Sequence, residues 1–380
     1  MAFAYDIGFL GGGQLARMSI QAAQRMGLLC ISLDSAENTP ASQIADAVQG
    51  SISDPESLAP IFGQCAVVTL ENEFVPAKAI RRAMQMAGRP PGSLIPNVDS
   101  LAIIQDKLLQ RQTLTKAGVP GPKAVPLDGD GSLAVSQIGF PMVLKSRFGG
   151  YDGKGVRVAM NSDDLEQFNH LWATGGGWMA EEFVDFSREL AVIVFVDRTR
   201  EGAFPTMETV QHNHVCDVVF PADIDASQVA IQAVKAVGGN GLYGVELFET
   251  KDGQLLVNEL APRPHNTGHY SLDWGGISQF DQHVRICLGL PPAPLDGVEA
   301  AMANLIGQDG PMNWRRGLSA AISSDPAVRV HWYGKEESRP GRKMGHINAV
   351  GSDALGRVKS ARERFYLEAF GLSPQLSDPG

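Results

Sequence analysis

The chain has 380 residues, 44% of them hydrophobic and 19% charged, with 32 basic and 42 acidic side chains giving a net charge of −10. That length predicts two or three domains, the composition is that of a soluble globular protein, and the acidic balance argues against nucleic-acid binding. No apolar run approaches the ~18 residues of a membrane helix, and no secretory leader is evident. Cys30, Cys65, Cys216 and Cys287 are too scattered for a metal motif, so buried thiols in the reducing cytoplasm are expected.

Tyr5–Leu10 reads as an apolar strand. It runs into Gly11-Gly12-Gly13-Gln14-Leu15-Ala16 and a helix with Leu15, Met18, Ala22 and Met26 on one stripe. Leu29–Leu33 is a second strand, ending at Asp34. Alone, this matches the dinucleotide fingerprint and raises a nicotinamide-dependent oxidoreductase as a rival reading. The physics of the motif is narrower: its glycines let an anionic group approach a helix N-terminus. Strands at Ile44–Val48 and Cys65–Leu70 alternate with helices at Pro55–Phe62 and Pro76–Met86, which predicts a doubly wound parallel sheet. Glu71 and Glu73 follow a strand, at the end of the sheet where open α/β folds bind ligands. Breaks at Arg89-Pro90-Pro91-Gly92 and at proline-rich Leu290–Leu295 suggest domains at 1–96, 97–295 and 296–380.

Asn97–Ala117 reads as one long helix closed by Gly118 and Pro120. Phe140–Lys145 is a strand, followed by Gly149-Gly150-Tyr151-Asp152-Gly153-Lys154-Gly155 and the strand Val156–Met160. A glycine-rich hairpin with exposed amides suits the covering of phosphates, and Lys145 stands ready as a point charge. It is not a Walker loop, because a strand rather than a helix comes next. Strands at Trp178–Phe183, Leu190–Val196, a short one opened by Phe204-Pro205, and Val215–Phe220 follow, then a helix at Ser227–Val237.

Two apolar runs flank Asp252-Gly253, a strong hairpin signal. A two-residue turn centred there pairs residues whose numbers sum to 505, which sets Glu246 opposite Glu259 with Cβ atoms ~5 Å apart. Facing like charges destabilise a sheet pair, and a pair of hard oxygen donors suits Mg²⁺ shared with phosphates. An odd-length loop would move the glutamates to opposite faces. Arg263, His265, Asn266 and His269 crowd the stretch after the second strand. A helix at Ile277–Leu288 ends at Gly289. Near the C-terminus, Lys335, Arg339, Arg342 and Lys343 form a basic cluster around a Pro-Gly turn, fitting an anion site.

Lys145, the glycine loop, Glu181–Val184, Glu189, Glu246 and Asn258-Glu259 together resemble the nucleotide site of ATP-grasp ligases. Over its whole length, including G-G-Y-D-G-K-G, N-E-L-A-P-R-P-H-N-T-G-H and R-P-G-R-K-M-G-H, the chain resembles the 5-(carboxyamino)imidazole ribonucleotide synthase family of purine biosynthesis. The resemblance implies an α/β protein with a Rossmann-like pre-ATP-grasp domain, an ATP-grasp domain and a small C-terminal domain, usually homodimeric. It implies ATP-dependent carboxylation of 5-aminoimidazole ribonucleotide by bicarbonate through carboxyphosphate. Formate- or glycine-using ATP-grasp ligases and a non-catalytic nucleotide-binding module are the alternatives.

Site roles implied by the resemblance are as follows. Lys107 and Lys145 meet the nucleotide phosphates, with Gly150, Tyr151, Asp152, Gly153, Lys154, Gly155 and Val156 as the lid. Glu181, Glu182, Phe183 and Val184 line the adenine, Glu189 the ribose, and Gln211 takes the place of a histidine common in relatives. Glu246 and Glu259 hold Mg²⁺, supported by Asn258. Arg263, His265 and Asn266 handle bicarbonate and carboxyphosphate. Gly13, Gln14, Leu15 and Glu71, with Tyr151 and Asp152, contact the ribonucleotide, whose 5′-phosphate meets Lys335, Arg342 and Lys343.

Overall fold

The computed structural model of the chain describes residues 3–150, 155–172 and 177–371. Strands β1 (Tyr5–Leu10), β2 (Cys30–Asp34), β3 (Asp46–Gln49), β4 (Cys65–Leu70) and β5 (Leu94–Ile95) form a parallel sheet in the order β3-β2-β1-β4-β5. Helices α1 (Gln14–Arg25), α2 (Pro55–Gln64) and α3 (Ala77–Met86) make its crossovers. Strands β1, β2, β4 and β5 are largely apolar because both faces are covered, whereas the edge strand β3 is exposed along its length. Leu33, Leu58, Ile61, Phe62, Val68 and Ile80 form one side of the core, each essentially inaccessible to solvent.

The long helix expected over 97–117 is two helices, α4 (Val98–Gln105) and α5 (Lys107–Lys116). Asp106 breaks it: its backbone is extended and its carboxylate caps α5 by accepting from Leu108 and Leu109 N–H. An N-cap residue inside an apolar run was the signal passed over. Next come β6 (Ala124–Pro126), α6 (Ser132–Gln137), β7 (Met142–Ser146), β8 (Val156–Ala159), α7 (Ser162–Phe168) and β9 (Trp178–Glu182), whose strands form a small antiparallel sheet, β6-β9-β7-β8.

The large sheet holds β10 (Phe186–Val196), β11 (Glu201–Ala203), β12 (Met207–His212), β13 (Val215–Pro221), β14 (Gly241–Thr250) and β15 (Leu255–Ala261), with α8 (Ser227–Ala236) and α9 (Gln279–Cys287) packed nearby. Phe204-Pro205 opens no strand but lies between β11 and β12, where proline cannot donate to a ladder. The remaining elements are β16 (Ala300–Ile306), α10 (Trp314–Ser324), β17 (Arg329–Trp332), β18 (Lys343–Val350) and α11 (Ala354–Phe370). The strand order β15-β14-β10-β12-β13-β16-β18-β17 carries the sheet straight across residue 295, so the C-terminal strands extend the central sheet rather than forming their own.

A shared core joins the parts: Leu15, Met18 and Ile20 of α1 pack in one cluster with Phe280 and Val284 of α9, Tyr270, Trp274 and Met302 of β16. Among the described residues no helix is long and apolar enough to cross a membrane.

Candidate active site

The hairpin β14–β15 sets the centre of the site. Its loop is not the two-residue turn expected. Gly253 N–H donates to Thr250 O and Thr250 N–H to Gln254 O, leaving the three residues 251–253 as the loop, with Gly253 at φ +80°. Glycine tolerates that left-handed backbone without Cβ strain. Near the loop the register is Leu247↔Val257 and Phe248↔Leu256, one residue short of the expected sum. The register then shifts at Asn258, and beyond this bulge Glu246 faces Glu259 directly. The odd loop and the bulge cancel, and both carboxylates lie on one face.

That face carries more acid. Glu189 of β10 lies on it, two residues from Ala191, which pairs with Glu246. Burial first, then the charges of Glu259 and Glu189, hold the Glu246 carboxyl above the ordinary range. Burial also acts on Glu259, but Lys107, and behind it Lys145, outweigh it and keep that carboxyl low. Burial raises Glu189 to about 7, against a hydrogen bond from Gln211. Two facing carboxylates with few further protein donors suit a hard cation that completes its shell with phosphate and water, as Mg²⁺ does.

The cations come from three elements. Lys107, first residue of α5, pairs with Glu259. Lys145, near the end of β7, pairs with Glu181 and donates to Asn258 Oδ1 at 3.3 Å. Arg111, one turn beyond Lys107, donates to Glu181 Oε1 from Nε (2.9 Å), to Val257 O from Nη1 (2.5 Å) and to Asn258 O from Nη2 (2.7 Å). Glu181 is therefore buried, 2% exposed, with its carboxylate fully engaged. Phe183 and Val184 form the connection between β9 and β10, outside either ladder, and Glu182 bonds Lys123 through both backbone and side chain. Gly150, Gly155 and Val156 are the described ends of the glycine loop, whereas Tyr151, Asp152, Gly153 and Lys154 lie outside the described residues.

Beyond β15 the chain enters a short 3-10 segment, Asn266–Leu272. His265 presents Nε2 3.5 Å from Glu246 Oε1 while Nδ1 meets Thr267 Oγ1 at 2.9 Å. Burial, with Arg263 and Lys343 nearby, lowers its pKa to about 3, so the ring is neutral. Arg263 grips Glu73 from the N-terminal sheet, Nε to Oε2 at 2.5 Å and Nη2 to Oε1 at 3.0 Å. Asn266 does not offer its amide to the cleft. It exchanges two hydrogen bonds with Asn304 of β16, at 3.1 and 2.6 Å.

On the opposite wall, the glycine turn after β1 closes on Glu71. Leu15 N–H donates to Glu71 Oε1 at 3.3 Å, and a Cβ on Gly13 would stand 2.1 Å from that oxygen. The anion admitted to the start of α1 is thus the chain's own carboxylate. Burial raises Glu71 to about 7, against the pull of Arg263. Asp34, the acid of the dinucleotide fingerprint, is used locally: it accepts from Gly12 N–H (2.8 Å) and Ala36 N–H (2.9 Å). Lys335 Nζ donates to Lys343 O at 2.8 Å, and Arg342 to Glu337 O at 2.9 Å. Burial and the neighbouring Arg342 lower Lys335 to about 8, and Glu71 is close enough to act on it. The charge of Lys343 bears on Glu246 and His265 as well.

Sequence reasoning missed Arg111, the Glu73–Arg263 pair and Asn304. Arg111 was within reach, since Lys107 and Arg111 are four apart and share a helix face. The other two join distant parts of the chain and leave no local signal.

Three family models match in succession: the ribonucleotide synthetase preATP-grasp domain over residues 4–105, the ATP-grasp domain over 112–280, and the phosphoribosylaminoimidazole carboxylase C-terminal domain over 300–359. A phosphoribosylaminoimidazole carboxylase of Ogataea methanolica is 36% identical over 90% of this chain, but the chain spans only 66% of that longer protein. The N5-carboxyaminoimidazole ribonucleotide synthase of Mycobacterium bovis is 38% identical, over 97% of this chain and 87% of its own length. Crystal structures of the Aspergillus clavatus carboxyaminoimidazole ribonucleotide synthase, one with ATP and one with ADP and 5-aminoimidazole ribonucleotide, superpose with a TM-score of 0.86 at 31% identity, covering 96% of this chain and 99% of theirs. Fold and site together define an ATP-grasp ligase architecture with its preceding domain and its C-terminal extension. The chain belongs to the N5-carboxyaminoimidazole ribonucleotide synthase family.

Proposed function

We propose that the chain carboxylates 5-aminoimidazole ribonucleotide with bicarbonate at the expense of ATP, releasing ADP and phosphate in purine biosynthesis. The observation that carries this is the facing pair Glu246 and Glu259, ringed by Lys107, Lys145, His265 and Arg263, with Glu71 across the cleft. Bound between those carboxylates and the nucleotide, Mg²⁺ would neutralise the charge on the transferring phosphoryl group. Lys107 and Lys145 hold the phosphates as point charges, Asn258 steadies Lys145, and Glu189 with Gln211 receives the ribose.

Bicarbonate is a weak electrophile. Attack of its oxygen on the γ-phosphorus expels ADP and gives carboxyphosphate. Attack of the exocyclic amine on that carbon, with loss of an amine proton, expels phosphate and leaves the carbamate. Arg263, fixed by Glu73, and neutral His265 orient the anion, and Lys343 adds positive charge beside them. Glu71 lies where the amine arrives, with Gly13, Gln14 and Leu15 shaping that wall. Lys335 and Arg342 bind the 5′-phosphate. Beside Lys335 opens a groove of about 860 Å³, lined also by Arg17 and Gln43 of the N-terminal part and Trp332 of β17. Assembly as a homodimer in the cytoplasm belongs to the same reading.

The test is ADP release in bicarbonate buffer with and without the aminoimidazole ribonucleotide. Stimulation by the ribonucleotide, with a carbamate product that decays to starting amine on acidification, is expected. Stimulation by glycinamide ribonucleotide with formate instead would overturn the assignment.

A further inference from the structure

A bulge gives up regular ladder bonds, so something must favour it over a straight strand. In hairpin β14–β15 the loop alone favours the straight alternative. Continued without a bulge, the register next to the loop, Leu247↔Val257, would place Asn258 opposite Glu246 and turn Glu259 to the other face. Consecutive carbonyls of a regular strand point in opposite directions. Val257 O and Asn258 O nevertheless meet a single guanidinium, that of Arg111, which is 4% exposed. Only the bulged strand offers both carbonyls to one fork.

The surroundings are built for this contact. Val257 N–H donates to Pro120 O at 2.9 Å, and a Cβ on the next residue, Gly121, would stand 2.4 Å from Arg111 Nη1. Glu181 takes the remaining charge of the guanidinium and passes its second oxygen to Lys145.

We infer that Arg111 is the positioning residue that selects the bulged register of β15, and through it the affinity of the Glu246–Glu259 pair for a divalent ion. The inference rests on the reading of that pair as the Mg²⁺ site. Arg111 is buried against the backbone of β15 and acts by holding Glu259 on the face of Glu246.

The experiment is calorimetric titration of the full chain with ADP, in Mg²⁺ and in EDTA, for wild type, Arg111→Lys and Gly121→Ala. Lysine keeps a charge for Glu181 but cannot span two carbonyls. An alanine Cβ at position 121 displaces the guanidinium while leaving it in the chain. Loss of an outer partner that orients metal ligands typically costs ~10–100-fold in metal affinity. The gain in ADP affinity conferred by Mg²⁺ is therefore expected to fall at least ~10-fold in both variants, with affinity in EDTA within about twofold of wild type. A wild-type Mg²⁺ gain, or equal losses with and without Mg²⁺, overturns the inference. Should Arg111→Lys fail to fold, Gly121→Ala decides alone. Glu259→Gln separates the two readings: if it too retains the Mg²⁺ gain, the metal assignment fails. If it loses the gain while both positioning variants keep it, only the role of Arg111 fails.

Discussion

Arg263, from the segment after the central hairpin, is clamped by two hydrogen bonds to Glu73, from the loop after the fourth strand of the N-terminal sheet, although 190 residues separate them. Both side chains are largely sheltered, and a parallel two-point guanidinium–carboxylate contact fixes orientation as well as distance. The residue proposed to hold bicarbonate is thus aimed by a different part of the chain.

Glu73→Ala is expected to leave Arg263 without its aim. A misplacement of about 1 Å at a reacting group can lower rate by ~10²-fold. Turnover at saturating ATP should fall by one to two powers of ten, roughly, and the bicarbonate KM should rise, with ADP affinity unchanged. Steady-state kinetics over a bicarbonate series in CO₂-free buffer measures this. An unchanged bicarbonate KM and kcat would dismiss the clamp.

Glu259→Gln removes one of the two facing charges and strands Lys107. Metal-borne charge stabilisation is worth several kcal/mol, or roughly three powers of ten in rate. ADP formation should drop by about that factor while circular dichroism stays that of wild type.

The pH dependence follows from Lys335. Its pKa is pushed down to about 8 by burial and by Arg342. A lysine loses its charge as pH rises through its pKa, so attraction for the 5′-phosphate is present below about 8 and lost above it. The profile of kcat/KM for the ribonucleotide, which reports the free enzyme, should bend downward near pH 8. Lys335→Arg should carry the bend to higher pH, because arginine does not titrate in this range. A profile that bends identically in both proteins would assign the titration to another group.

Asn304 is completely buried and holds Asn266 by two bonds and Cys216 O by a third, at 2.8 Å. Asn304→Leu leaves those groups unpaired, at about 1–3 kcal/mol each. A lower thermal midpoint is expected, together with reduced turnover, since Asn266 begins the segment that follows His265. Differential scanning fluorimetry and the ADP assay on one preparation test both.

The motif residues were legible in the sequence because glycine, acid and base stand close together along the chain. The Glu246–Glu259 pairing was read correctly from an incorrect turn: two opposite register errors, at the loop and at Asn258, cancelled. No local rule predicts the second, since the partner of the bulge, Arg111, lies 147 residues away. The break at Asp106 was legible as a cap and was overridden by the apolar pattern around it. Helices α10 and α11 went unread. The joining of β13 to β16 depends on tertiary contacts alone, through the pairs Val218↔Ala303 and Val219↔Met302.

That seam has a practical meaning. A polypeptide ended at Leu295 would expose the margin of β13, apolar and unpaired, and such margins recruit foreign strands. Trimming the chain there would therefore yield a fragment prone to self-association rather than a smaller independent domain.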